Sequence, residues 1–200
     1  ASVQLRAGVF GGGLDVTEAA GIFTREETRL AGCYILRTKV RKDMRGSFTK
    51  VYHAGAFREL GLTTEFREEY FSVSKRNVLR GLHFQLPPAD HEKLVWCMSG
   101  KVLDVVLDLR RASSTYGAHQ SFMLSGGSGE MIYIPRGMAH GFLTLSDEAV
   151  MMYKVTSVYA PACDAGIRWD TAGIDWGVSS PLLSERDQGF VSLADFSSPF

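Results

Sequence analysis

The chain has 200 residues, with 22 acidic and 22 basic side chains and a formal net charge of zero. That balance excludes a polycationic nucleic-acid binder and an acidic solvating arm, so a charged ligand must be met by a local cluster rather than by a global field. At 45% hydrophobic residues, the length suits one domain with a sizeable core.

Cys33, Cys97 and Cys163 are odd in number and form no CxxC pair, so neither a disulfide framework nor a zinc knuckle is indicated. Unpaired thiols fit a reducing, cytoplasmic compartment. No run approaches the ~20 apolar residues of a membrane helix, and the opening residues lack the charged-then-apolar order of a signal peptide.

Residues 1–22, with GVFGGG inside them, read as a poorly ordered N-terminal extension, and residues 23–200 as the folded domain. From Phe23 onward the pattern is one of strands. CYILRTKV (33–40) is β-rich, DMRG (43–46) is a turn and SFTKVYH (47–53) alternates. AGAFRELG (54–61) has helical spacing and ends in glycine. TEFREEYFSVS (64–74) alternates with period two, and VLRGLHFQL (78–86) is a strand stopped by Pro87-Pro88. KLVWCMSG (93–100) and KVLDVVLDLR (101–110) meet at Ser99-Gly100, which reads as a hairpin. HQSFMLS, MIYIP, GFLTLS and AVMMYKVTSVY complete the strands, and residues 160–200 look looser. Short strands at regular spacing predict an all-β sandwich or barrel with short peripheral helices.

The stretch 72–94, SVSKRNVLRGLHFQLPPADHEKL, puts Arg80, His83 and Lys93 on an apolar ribbon. Such groups cost stability when turned inward unless they meet partners or do chemistry. Further on, GEMIYIPRGMAHGF (129–142) spaces Gly129, Pro135, Gly137 and His140 as in the second motif of the cupin superfamily, which it resembles. That resemblance implies a double-stranded β-helix, or jelly roll, with His140 at the barrel mouth. Many cupins hold a metal with two histidines one residue apart, a carboxylate and the later histidine. Here the pair is His83 and Gln85, and no glutamate stands at the expected distance, so no metal is expected.

RGLHFQLPP, KLVWCMSGKVLDVVLDLRRASSTYG, IPRGMAHGF, MMYKVTSVYAPACDAGIRWD and LLSERD, in that order, resemble the dTDP-4-dehydrorhamnose 3,5-epimerase family over about residues 23–190. The resemblance implies a cytoplasmic homodimer of carbohydrate biosynthesis, with a jelly-roll fold and no cofactor. It also implies a nucleotide-diphosphate 4-keto sugar as substrate, inverted at C3 and C5 or at C3 alone. A keto group at C4 acidifies the C3 and C5 hydrogens, and inversion then needs a base on one face, an acid on the other and a cation near the keto oxygen. By the resemblance His83 is the base, Asp187 its orienting carboxylate, Tyr153 the acid from the opposite face, and Lys93 the cation. His140 lines the sugar pocket, beside Gln85. Arg80 and Arg45 meet the diphosphate, and Tyr159 stacks on the base or packs beside the sugar. A strand near 23–30 with an unpaired edge would be hazardous in a monomer; a family dimer covers it with the neighbour's sheet, which would bring Arg45 and Phe48 to the partner's site.

Arg80 lies three residues before His83, an odd spacing that sets them on opposite faces of an ideal strand. A shared pocket therefore predicts an irregularity at Gly81. Tyr153 should point inward, because Lys154 beside it points out. Asp104 and Asp108 share a face and have structural roles, with Arg110 or Arg136 as partners. His91 and His119 read as surface residues, and His53 as the end of a strand.

Two places depart from the family pattern around the substrate. Lys50 stands where a glutamate is usual, and Glu68-Glu69-Tyr70 replaces Gln-Asp-Asn. Donors become acceptors and the reverse, so Glu68 and Tyr70 join the substrate-binding candidates, and a different nucleotide-linked 4-keto sugar is expected. The alternatives are a metal-dependent cupin enzyme and a non-catalytic nucleotide-sugar binder.

Overall fold

The computed structural model describes residues 15–200. Its elements are β1 (Val16–Ala19), β2 (Phe23–Glu27), β3 (Tyr34–Thr38), β4 (Val40–Asp43), β5 (Gly46–Thr49), α1 (Ala54–Glu59), β6 (Glu68–Lys75), β7 (Leu79–Gln85), β8 (Lys93–Ser99), β9 (Lys101–Asp108), β10 (His119–Ser125), β11 (Glu130–Ile134), β12 (Met138–Thr144), β13 (Glu148–Val155), a 3-10 turn (Pro161–Cys163), β14 (Asp164–Gly166) and α2 (Glu185–Gln188). A seven-stranded sheet, β1-β2-β3-β11-β8-β13-β6, faces a five-stranded sheet, β10-β9-β12-β7-β14, and β4 and β5 form a separate hairpin. Together they make a jelly roll in which every strand pairing is antiparallel.

Three apolar clusters hold the layers. Val95, Val106, Phe122, Ile132, Phe142 and Met151 meet between the sheets. On the outer face of the large sheet, Phe23, Leu36, Leu94 and Met131 are covered by Ala56, Phe57 and Leu60 of α1. The outer face of the small sheet, Leu79, Val105, Leu107 and Leu143, is covered by Ile167, Trp176, Phe196 and Phe200. Strands buried on both faces lose the polar–apolar alternation of a half-exposed sheet, which explains the continuous apolar runs at β8, β9 and β12.

Four expectations are corrected. Val16–Ala19 is not part of a loose extension but pairs with β2, and residues 1–14 lie outside the described residues. β2 is paired on both sides, with β1 and β3, so it is not an open edge. Ser99-Gly100 is not a hairpin turn, because β8 and β9 lie in different sheets. Gly100, at φ +83°, carries the chain around that corner, where an added Cβ would stand 2.2 Å from the carbonyl oxygen of Glu148. His53 caps α1 rather than ending a strand: its Nδ1 accepts from the Ala56 N–H at 3.2 Å.

Candidate active site

Between the two sheets, away from the apolar filling, lies a cavity of about 320 Å³. The small sheet supplies Arg80, His83 and Gln85 from β7 and His140 from β12. The large sheet supplies Glu68, Tyr70 and Ser72 from β6, Lys93 from β8 and Tyr153 from β13. Tyr159, Asp164 and Arg186 close the end nearest the C-terminal segment.

The sharing of one cavity by Arg80 and His83 depends on the irregularity expected at Gly81. Opposite β7, β12 pairs His140 with His83 and Phe142 with Arg80, so one extra residue sits on β7. Gly81 has φ +125°, its peptide bond to Leu82 is cis, and an added Cβ would lie 2.6 Å from Gly141 Cα. Past this bulge the alternation resumes in the opposite phase. Leu79, Leu82 and Phe84 face the outer cluster while Arg80, His83 and Gln85 face the cavity.

Asp187, on α2, accepts from His83 Nε2 through Oδ1 at 2.8 Å and from the Gly81 N–H through Oδ2 at 3.0 Å. Burial pushes its carboxyl up, but the bonds from His83, Gly81 and Ser184 outweigh this and leave it below its ordinary value. An ionised carboxylate only accepts, so Nε2 carries the ring proton and Nδ1 keeps the free lone pair. Burial draws the His83 pKa below its ordinary value even though Asp187 pulls the other way, so the ring is neutral near pH 7. Phe190 packs edge-on against it, with ring centroids 5.7 Å apart.

Lys93 is buried, and its Nζ donates to the His83 carbonyl oxygen at 3.1 Å. Burial draws its pKa down to about 8, against the opposing pull of Asp104 and Asp164. Across the cavity, the Tyr153 hydroxyl lies 3.2 Å from Ser72 Oγ. Burial pushes that phenol's pKa well up, so it stays a proton donor. Lys154 turns to the other face and pairs with Glu69.

Other residues are engaged within the protein. His140 Nε2 bonds Asp104 Oδ2 at 2.7 Å, a second buried histidine–aspartate pair. Asp108 holds Arg110, Ser113 and Thr115, which makes Arg110 the partner of the two expected. Gln85 lines the cavity, but its carboxamide ties two loops together: Nε2 donates to the Ala89 carbonyl at 2.9 Å and Oε1 accepts from the Ala160 N–H at 2.6 Å. Arg80 Nε donates to Ser74 Oγ at 2.9 Å, and Glu68 Oε2 accepts from the Tyr159 N–H at 2.7 Å.

Arg45 and Phe48 are not brought to this cavity. They project from the β4–β5 hairpin, where Arg45 pairs with Asp43 and Phe48 is 63% exposed. His91 is not a surface residue: it lines the cavity, with Nδ1 3.0 Å from Ser157 Oγ, and burial beside Lys93 and Arg136 draws its pKa down to about 3. Asp164, Arg186 and Ser72 were not singled out from the sequence. Arg186 adjoins Asp187 in the chain and bonds Asp164 at 3.0 Å, a pairing that no local pattern announces. Among the described residues, no group of three or more His, Cys, Asp or Glu is arranged to hold a metal ion, and no helix is long and apolar enough to cross a membrane.

A jelly roll that sets an aspartate-bonded imidazole on one sheet and a protonated phenol on the other, with an ammonium bonded beside the imidazole, carries the groups of a proton-transfer site in a cupin architecture. The sequence profile of the dTDP-4-dehydrorhamnose 3,5-epimerase family matches residues 27–195, and the chain belongs to that family. It is thus an epimerase, of the isomerase class. It is 41% identical to the dTDP-4-dehydrorhamnose 3,5-epimerase of Methanothermobacter thermautotrophicus, over 84% of this chain and 94% of that one. It is 38% identical to the dTDP-4-dehydrorhamnose 3-epimerase of Streptomyces niveus, over 83% of this chain and 82% of that one. A crystal structure of the Legionella pneumophila dTDP-6-deoxy-D-glucose-3,5-epimerase in complex with dTDP-4-keto-L-rhamnose superposes with a TM-score of 0.83 at 34% identity, covering 88% of this chain and 95% of that one.

Proposed function

We propose that the chain epimerises a nucleotide-diphosphate-linked 4-keto sugar at C3 and C5, or at C3 alone, through an enolate. The observation that carries this reading is the placement of His83 and Tyr153 on opposing sheets of one cavity, with Lys93 beside His83. His83 Nδ1 takes the proton from the carbon next to the ketone, and the C–H electron pair moves onto the keto oxygen. Lys93 stabilises the oxyanion, and a buried ammonium does so more strongly than an exposed one. Tyr153 then protonates the carbon from the other face. Solvent returns a proton to the phenolate and removes one from the imidazolium, so no oxidant or reductant is consumed.

The guanidinium of Arg80 suits a diphosphate, and His140 and Gln85 shape the sugar pocket. Tyr159 stands at the mouth for the base or ribose, next to Glu68. The relatives' names point to dTDP sugars, while Glu68 and Lys50 alter the hydrogen-bonding groups and favour a changed base or sugar. Arg45 and Phe48 serve the cavity of a second copy in a homodimer. Supporting this, the hairpin that carries them is exposed, with Met44 fully so, and Phe71, Val73 and Met98 stand exposed on the large sheet. Three free thiols fit a cytoplasmic enzyme.

NMR of a panel of nucleotide-linked 4-keto sugars, with dTDP, CDP, UDP and GDP carriers, in D2O with the purified protein tests the reading. Deuterium entering C3, or C3 and C5, with inversion identifies both substrate and regiochemistry. Binding without exchange for every sugar would make the protein a binder only.

A further inference from the structure

The inner face of β6 carries four side chains in a row, and each holds another residue of the site. Glu68 accepts from the Tyr159 N–H, Ser72 meets the Tyr153 hydroxyl, and Ser74 accepts from Arg80 Nε. The fourth, Tyr70, lies directly opposite Tyr153 in the β6–β13 ladder. Their rings stack with centroids 4.8 Å apart and planes 16° apart. The His140 ring meets the Tyr153 ring edge-on at 6.1 Å. Tyr153 is therefore fixed by one ring stacked parallel on it, a second ring edge-on to it and a hydroxyl at its tip.

We propose that Tyr70 is a positioning residue that aims the Tyr153 hydroxyl at the carbanion face, and so sets how often an enolate is inverted rather than returned. This rests on the epimerase reading above. The ring is the working part of Tyr70, because its own hydroxyl makes no hydrogen bond among the described residues. A tyrosine in a cavity wall has two free torsions, and a proton donor must be held to about half an ångström to be productive. Stacking on an edge strand removes one face of the Tyr153 ring from water and limits rotation about both torsions. On β13 itself the same-face neighbours Met151 and Val155 are aliphatic and offer no ring to stack on, while Met152 and Lys154 point to the other face.

Enolate formation by His83 does not need Tyr153. Once the imidazolium trades its proton with D2O, return from the same face labels the starting sugar, while delivery from Tyr153 gives labelled, inverted product. The ratio of exchange to inversion reads the aim of Tyr153 separately from the fold and from binding. In Tyr70→Leu, exchange stays within about threefold of the unsubstituted protein, inversion falls at least tenfold, and KM changes little. Tyr70→Phe keeps the ring and restores the original ratio.

Three results overturn the proposal while leaving the epimerase reading standing: parallel loss of exchange and inversion in Tyr70→Leu, no loss of either, or a Tyr70→Phe as impaired as Tyr70→Leu. The last would assign the function to the hydroxyl. An unsubstituted protein that exchanges no sugar in the panel overturns the epimerase reading, and the proposal with it.

Discussion

His83 Nε2 and Asp187 Oδ1 lie 2.8 Å apart although 104 residues separate them in the chain. β7 supplies the imidazole and the short helix α2 supplies the carboxylate, which the Gly81 N–H also grips. The same aspartate thus fixes the imidazole and the bulge that turns it into the cavity.

Replacing that carboxylate by an amide separates the two roles. Asp187→Asn keeps an oxygen for the Gly81 N–H but no longer stabilises the imidazolium. Turnover falls by about 10²-fold or more, while thermal unfolding changes little. Steady-state rates with the sugar identified from the panel, together with calorimetric melting, check both halves.

The alkaline side of the pH profile belongs to Lys93 rather than to Tyr153. Lys93 acts as a cation, and burial has drawn its pKa down to about 8. Raising the pH through about 8 therefore removes its charge and lowers kcat/KM, while the Tyr153 phenol, pushed up by burial, remains protonated. On the acid side, activity persists below the ordinary imidazole range, because burial has lowered the His83 pKa. A guanidinium does not deprotonate in this range, so the residual activity of Lys93→Arg has no alkaline limb near 8. Rate measurements from pH 5 to 10 test this.

If Arg45 serves the neighbouring copy's cavity, hybrid dimers reveal it. Arg45→Ala and His83→Asn homodimers are each impaired. In the mixed dimer one cavity carries both lesions and the other carries neither, so the mixed dimer regains up to half the activity of the unsubstituted dimer, and an equal mixture refolded together regains up to about a quarter. No recovery, with mixed dimers verified by mass, would place Arg45 in its own protomer's site.

Gly81→Ala tests the bulge. The new Cβ meets Gly141 Cα at 2.6 Å and the His140 carbonyl at 2.8 Å, at φ +125°. The variant loses about 3 kcal/mol or more of stability, and displacement of the β7–β12 ladder moves His83 and His140 together. Urea unfolding measures the loss. A fully stable, active Gly81→Ala would contradict the parity account of the site.

Much of this was legible in the sequence because it is local. The Arg80–His83 spacing already demanded a bulge, and Gly81 was the residue able to supply it. Lys154 beside Tyr153 fixed which of the two faces inward, and VLDVVLDLR placed Asp104 and Asp108 on one face. What escaped depends on partners distant in the chain. Asp104 bonds His140, Arg186 bonds Asp164, and His91 is enclosed by Gln85 and Ser157 although it follows a Pro-Pro turn that reads as solvated. Ser99-Gly100 misled because a tight glycine corner looks alike in sequence whether the next strand pairs back or crosses to the facing sheet.

The most direct test of the account is solvent exchange by His83→Asn. Asparagine keeps a donor for Asp187 and leaves no base. The account predicts that the unsubstituted protein moves deuterium from D2O into the carbon beside the ketone, and that His83→Asn, folded and still binding the nucleotide sugar, does so at least about 10²-fold more slowly. Exchange at an undiminished rate in His83→Asn would contradict it.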